Sequence, residues 1–235
     1  MNSKQKTLGV IGGLGPLPTA YLAEMLALYS DVESDQEHIN LLIHSYPSTP
    51  DRTAYILGNS DRSPLEKIIP TGKELCRLGV DLIAIPCVTS HYFYDEISSA
   101  FTVPVVNMLK ETALTLEENN VKCAGIMATS GTVSTKLFQN TLKMHNIESV
   151  VPDREIQEDV MHLIYKCVKA GKPIDMNRYK KVSEHLFQKG AEKIILGCTE
   201  LAVLNRLPDP PKDTVCALDI LAKACLNKLG VKIKQ

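Results

Sequence analysis

What this chain lacks narrows it before any motif is read. It has no surplus of charge of either sign: 26 Lys and Arg stand against 27 Asp and Glu, a formal net charge of −1. A nucleic-acid binder needs an excess of cations for phosphate contacts, so no nucleic-acid partner is expected. No apolar run approaches the roughly 18 residues of a membrane span, so no membrane partner is expected either. CxxC pairs are missing. The seven cysteines, Cys76, Cys87, Cys123, Cys167, Cys198, Cys216 and Cys225, are an odd number in 235 residues. That fits neither a disulfide framework nor a zinc finger, and it points to a reducing, cytoplasmic compartment. The N-terminal stretch carries a pair of lysines and a short apolar run. The run breaks at Gly12-Gly13 with no small-residue cleavage site after it, so no signal peptide is expected.

What is present is an alternation of strands and helices. With 44% apolar residues the chain can build a core, and its length lies between one and two domains of about 150 residues. Short apolar runs at 8–11, 40–43, 81–85 and 103–106 read as buried parallel strands, and 123–127, 147–151, 193–196 and 214–218 read as a second set. Segments with helical spacing, such as 64–78 and 155–169, lie between them. The alternation predicts an α/β fold with mainly parallel sheets. Pro208-Asp209-Pro210-Pro211 reads as a stiff loop and a return crossing between domains.

A weak internal repeat organises the chain. Residues 75–87 (LCRLGVDLIAIPC) match residues 186–198 (LFQKGAEKIILGC), 111 positions apart. Each reads as a helix end, a Gly, a small residue, an acid, an apolar strand and a Cys. Other strands repeat at similar offsets. The repeat predicts two similar halves of four strands each, residues 1–107 with 208–235, and residues 108–207. In open parallel sheets, ligands bind beyond the carboxyl ends of the strands. Cys87 and Cys198 both stand there, followed by Val88-Thr89-Ser90-His91 and by Thr199-Glu200. A pseudo-two-fold axis would turn the two thiols toward one another across a cleft. The other reading makes both of them core cysteines.

Two thiols flanking one α-carbon could invert a stereocentre. One takes the α-proton as thiolate, and the other delivers a proton to the opposite face. The carbanion between these steps needs oriented N–H groups, hydroxyls or cations. Several segments could supply an anion pocket, each with a plainer alternative. Gly12-Gly13-Leu14-Gly15-Pro16 offers backbone N–H groups, or is simply a tight turn. It has Pro18 where a dinucleotide fingerprint needs its third Gly, and it lacks a P-loop ending. Ala128-Thr129-Ser130-Gly131-Thr132 could hold a carboxylate, or cap a helix. Arg52, after the second strand, could clamp a carboxylate bidentately, or pair at the surface with Asp51. His91 is four residues after Cys87, but two ligands do not make a zinc site, and no metal is assigned. A helix cap or packed residue is the alternative for His91.

Together these segments resemble the aspartate/glutamate racemase family, most closely its aspartate racemases. The pieces that carry the resemblance are Gly12-Gly13-Leu14-Gly15-Pro16, Pro50-Asp51-Arg52-Thr53, 86–93 (PCVTSHYF), 128–132 (ATSGT), Gly197-Cys198-Thr199-Glu200 and Leu218-Asp219-Ile220-Leu221-Ala222. They occur in the family's order across nearly the whole chain, and the paired Cys-Thr-type segments are the specific part.

The resemblance implies an isomerase with no cofactor, two similar α/β domains, a site in the cleft between them, and a homodimer. It implies that Cys87 and Cys198 are the catalytic acid/base thiols. It implies that Arg52 holds the substrate's side-chain carboxylate with help from Lys169, which precedes Ala170-Gly171. Thr89, Thr129, Ser130 and Thr199 match positions that bind the α-groups of the amino acid. Gly13, Val88, Ser90, Thr132 and Glu200, in the same segments, complete the candidate substrate site. Val88 replaces the Asn usual after the first Cys, so one polar hand for the substrate is missing. Ser90 replaces Ala, Leu14 replaces Met and Pro18 replaces Ala. The expected reaction is interconversion of L- and D-aspartate or a close acidic amino acid. The rivals are another isomerase of the superfamily, such as a broad-specificity racemase, and a non-catalytic binder of an acidic amino acid.

Overall fold

A computed structural model describes residues 5–234. It divides the chain into two compact units. The first contains the residues up to Asn107 together with those from Leu218 onward, and the second runs from Met108 to Ala217.

The first unit alternates β1 (Thr7–Gly12), α1 (Pro16–Tyr29), β2 (Asn40–Ser45), α2 (Arg52–Ile56), α3 (Leu65–Arg77), β3 (Leu82–Ala84) and α4 (Tyr94–Ser99). Its sheet is parallel in the order β2-β1-β3, with Leu8 opposite both Leu41 and Leu82. The central strand β1 is buried from Leu8 to Gly12, as a strand covered on both faces must be. The fourth strand expected at 103–106 shrinks to one parallel bridge, Ile83 with Val105. Ile83 N–H donates to the Pro104 carbonyl and Val106 N–H to the Ile83 carbonyl, both at 2.9 Å. Pro104 has no N–H of its own to extend the ladder, which is why the run fails as a full strand. Ile11, Ile68, Leu75, Ile83, Phe93 and Ile97 form the centre of the core, and Cys87 belongs to the same cluster.

The second unit alternates α5 (Met108–Glu118), β4 (Cys123–Met127), α6 (Ser130–Ser134), α7 (Leu137–Met144), β5 (Glu148–Val150), α8 (Arg154–His162), α9 (Met176–Gln188), β6 (Lys193–Leu196) and β7 (Thr214–Cys216). The sheet is parallel in the order β5-β4-β6-β7. The helix expected over 155–169 is α8 followed by a π-helical turn, Leu163–Val168.

The boundary between the halves also differs from the sequence expectation. The segment 208–217, expected in the first domain, lies in the second unit. β7 pairs with β6, Leu196 opposite Cys216, and that ladder binds the segment there. The return to the first unit falls at the start of α10 (Ala217–Leu229). Beyond α10 the chain is tied to the end of α1, where Asp31 N–H donates to Lys232 O and Lys234 N–H to Tyr29 O, both at 2.9 Å.

Candidate functional site

The repeat seen in the sequence has a physical basis, and it is what places each thiol. Gly79 ends α3 with φ +81° and Gly190 ends α9 with φ +97°, a left-handed conformation that favours glycine. The next residues donate back into the helix end, Val80 N–H to Leu75 O and Ala191 N–H to Leu186 O. The acids follow. Asp81 N–H donates to Thr7 O, and its carboxylate accepts Thr7 N–H at 2.8 Å. Glu192 N–H donates to Cys123 O, and its carboxylate accepts Lys122 N–H at 3.1 Å. Each strand then runs to a buried Cys that opens a 3-10 helix, Cys87 before Val88–Phe93 and Cys198 before Thr199–Arg206. The thiols are similarly buried, 5% and 6% exposed, and all seven cysteines are free thiols.

In the first unit the turn after Cys87 is fastened by His91. Its Nδ1 lies 3.0 Å from the Cys87 carbonyl and its Nε2 3.4 Å from the Val106 carbonyl. Burial lowers the His91 pKa below its ordinary 6.5, against the raising effect of those carbonyls. The ring nitrogens face backbone oxygens, which gives His91 the packed role. Among the described residues no cluster of three or more His, Cys, Asp or Glu could hold a metal ion. Val88, Thr89 and Ser90 are all buried. The Ser90 hydroxyl is shielded and has no hydrogen-bond partner among the described residues.

Arg52 is not a surface residue. It is 7% exposed, and its guanidinium donates to the carbonyls of Thr49, Pro50 and Leu14. It thereby stitches the loop after β2 to the glycine turn after β1. Asp51 caps α2, accepting Ala54 N–H at 2.8 Å. Gly13 has φ +84°, and a Cβ there would lie 2.4 Å from Tyr46 N. Its N–H donates to Thr19 Oγ1 at 2.9 Å, so this donor is taken by the first turns of α1.

In the second unit Thr129 caps α6, accepting Thr132 N–H at 3.3 Å, and the two hydroxyls lie 3.1 Å apart. The Thr129 side chain thus serves as the helix cap that the sequence allowed. Two residues of α8 that no sequence pattern singled out cover this loop. Gln157 donates to Ala128 O at 2.9 Å and to Ser130 Oγ at 3.4 Å, and Met161 sulfur accepts Ser130 N–H at 3.2 Å. Helical periodicity marks both only as helix positions.

Cys198 follows Gly197, where a Cβ would meet Phe138 Cε2 at 2.8 Å, so glycine lets the strand end pack closely. Cys198 Sγ donates to Glu200 Oε2 at 2.9 Å. The Glu200 side chain is 4% exposed, and its Oε1 pairs with Lys169 Nζ at 2.9 Å. Lys169 directly follows the π-turn, whose wider winding re-aims the chain at that point. Burial first, and then the Glu200 carboxylate, push the Cys198 thiol well above its ordinary 9.0, while Lys169 works against them. Thr199 is 2% exposed.

Strand-end thiols, hydroxyl-bearing turns, a buried arginine and a lysine paired with a buried carboxylate make proton-transfer chemistry available to this fold. The sequence model of the Asp/Glu/Hydantoin racemase family matches residues 11–223, and the chain belongs to that family. It is similar to the broad specificity amino-acid racemase RacX of Bacillus subtilis (strain 168), 28% identical over 95% of this chain and 96% of that protein. Among solved structures it is similar to the Picrophilus torridus aspartate racemase, with a TM-score of 0.82 and 28% identity over 97% of this chain and 96% of that one. A Francisella tularensis glutamate racemase, solved with D-glutamate, shares the fold with a TM-score of 0.65 and 18% identity, covering 96% of this chain and 83% of that one.

Proposed function

We propose that this racemase-family protein interconverts L- and D-aspartate, or a close acidic amino acid, without a cofactor. Cys87 and Cys198 are its two acid/base thiols. One thiolate takes the α-proton, and the other thiol returns a proton to the opposite face. The observation that carries the reading is the repeated construction that ends each strand in a buried thiol. Strand carboxyl ends are where open parallel sheets bind ligands. In this reading Arg52 and Lys169 draw the distal carboxylate. Gly13, Val88, Thr89, Ser90, Thr129, Ser130, Thr132, Thr199 and Glu200 surround the α-groups. The protein works as a homodimer in the cytoplasm, and light scattering on the purified protein tests the dimer.

A second reading, a racemase of broader specificity, is favoured by the Lys169–Glu200 ion pair and by Val88. A lysine already neutralised attracts a distal carboxylate less, and Val88 adds no polar contact. The likeness to RacX points the same way.

Proton NMR in D2O tests both readings. L-Aspartate should lose its α-proton signal, and chiral chromatography should show the D form. A panel of acidic and neutral amino acids separates the two readings. A thermal shift with aspartate but no deuterium uptake would make the protein a binder and end the racemase reading.

A further inference from the structure

We propose that Glu200 is a positioning residue that holds Cys198 as the proton donor of the resting protein and leaves Cys87 as the base. One Glu200 oxygen takes the Cys198 S–H hydrogen bond while Lys169 holds the other. The inference rests on the two-thiol reading above and deepens it.

The geometry makes the two thiols unequal. Cys198 Sγ lies 2.9 Å from Glu200 Oε2, and Glu200 is 3% exposed. A thiolate at that position would place two negative charges side by side in a turn that excludes water, which disfavours ionisation. Two charged groups act on this sulfur: Glu200 from its own turn, and Lys169 from the segment just past the π-turn. Lys169 pairs with the far oxygen of Glu200 at 2.9 Å and so fixes the carboxylate with its other oxygen toward the thiol. In the repeat, the position of Glu200 is filled by Thr89 in the first unit, which cannot carry charge.

The Cys87 thiolate takes the α-proton, and the C–H electron pair stays on the α-carbon. Cys198 gives its S–H proton to the other face, and that electron pair stays on sulfur. After release, Cys87 loses one proton to solvent and Cys198 regains one. The enantiomer that offers its α-proton to Cys87 therefore finds the donor proton already held on Cys198, and the other enantiomer needs the reverse arrangement.

The test is iodoacetamide alkylation as a function of pH, followed at each cysteine by mass spectrometry on the full chain. In the unaltered protein the Cys198 midpoint should lie above that of Cys87. Glu200→Gln keeps the shape and removes the charge. It should lower the Cys198 midpoint by about one unit or more, a roughly tenfold faster alkylation at a fixed pH below the midpoint, and leave Cys87 in place. A Cys198 midpoint at or below that of Cys87, or one unmoved in Glu200→Gln, overturns the proposal. If that variant does not fold, Lys169→Met serves. It keeps the carboxylate and strips its cation, so the Cys198 midpoint should rise, and no movement overturns the proposal. Steady-state rates add a second readout. An equilibrium constant of one ties kcat/KM of the two enantiomers together, so the inequality should show as different KM and kcat values that converge in Glu200→Gln. Protein that alkylates as expected but racemises no amino acid retains the proton-holding role and loses the racemase reading, so the two failures are distinguishable.

Discussion

Val80 packs against Gly9 in the first unit as Ala191 packs against Gly125 in the second, each with a hypothetical glycine Cβ 3.1 Å away. Asp81 and Glu192 then tie the start of the neighbouring strand in the same way. Up to the thiol, the two units are built alike. Beyond it they part. His91 fastens the first turn through backbone carbonyls, whereas the second is organised around a buried carboxylate that faces the sulfur. The equivalent of His91 is Ala202. The comparison teaches that backbone placement is duplicated while electrostatics is not. Two thiols of similar burial can therefore take different roles.

The sharpest way to break this comparison is at the sulfurs. Cys87→Ser and Cys198→Ser should each lower racemisation by about 10²–10⁴-fold, the usual contribution of one acid/base group. If both variants kept full α-proton exchange in D2O, the two-thiol reading would be wrong.

The glycines come next. Gly13→Ala forces a left-handed backbone and a contact with the Tyr46 backbone, and should cost about 3–5 kcal/mol. Gly197→Ala meets mainly the Phe138 ring edge, which can shift, and should cost about 1–3 kcal/mol. Urea unfolding gives the order, and equal costs would contradict it.

The acids test the shared part of the design. Asp81→Asn and Glu192→Gln each weaken one strand-start hydrogen bond and should cost about 1 kcal/mol apiece, in matching measure. A severalfold difference between them would mean that the two repeats are not mechanically equivalent.

The finest test lies in pH. Burial lowers the His91 pKa in the folded chain, so below its ordinary 6.5 the unfolded chain takes up a proton that the fold refuses. The stability contributed by neutral His91 is complete above pH 6.5 and is lost as pH falls below it. The melting temperature should drop between pH 7 and pH 5, and by less in His91→Gln. Equal slopes would remove His91 as the cause.

Much of the scaffold was legible in the chain. Apolar runs marked the strands because a parallel strand buried on both faces must be apolar along its length. Strands 123–127 and 193–196 occur where the runs predicted them. The repeat was legible because the left-handed Gly is demanded by the helix end, and because the small residue and the acid each recur at the same offset to meet the same kind of neighbouring strand. The run at 103–106 misled because its apolar content signals burial, while Pro104 limits its pairing.

The candidate site was legible only as a set of residue types. Arg52 could be read as a clamp or a surface ion pair; folding buries it and gives its guanidinium three backbone carbonyls, one of them 38 residues away at Leu14. Gln157 and Met161 carried no signal because they act across the fold on Ala128 and Ser130.

By itself the sequence determined the α/β alternation, the duplicated construction and the thiol at the end of each repeated strand, because these show directly in hydrophobic periodicity and in residue types recurring at a fixed offset. Only the tertiary structure decided that segment 208–217 joins the second sheet, that Arg52 braces the glycine turn, and that Lys169 and Glu200 meet beside Cys198. Those outcomes depend on which distant groups share a low-dielectric space once the chain is packed, and spacing along the chain does not encode that directly.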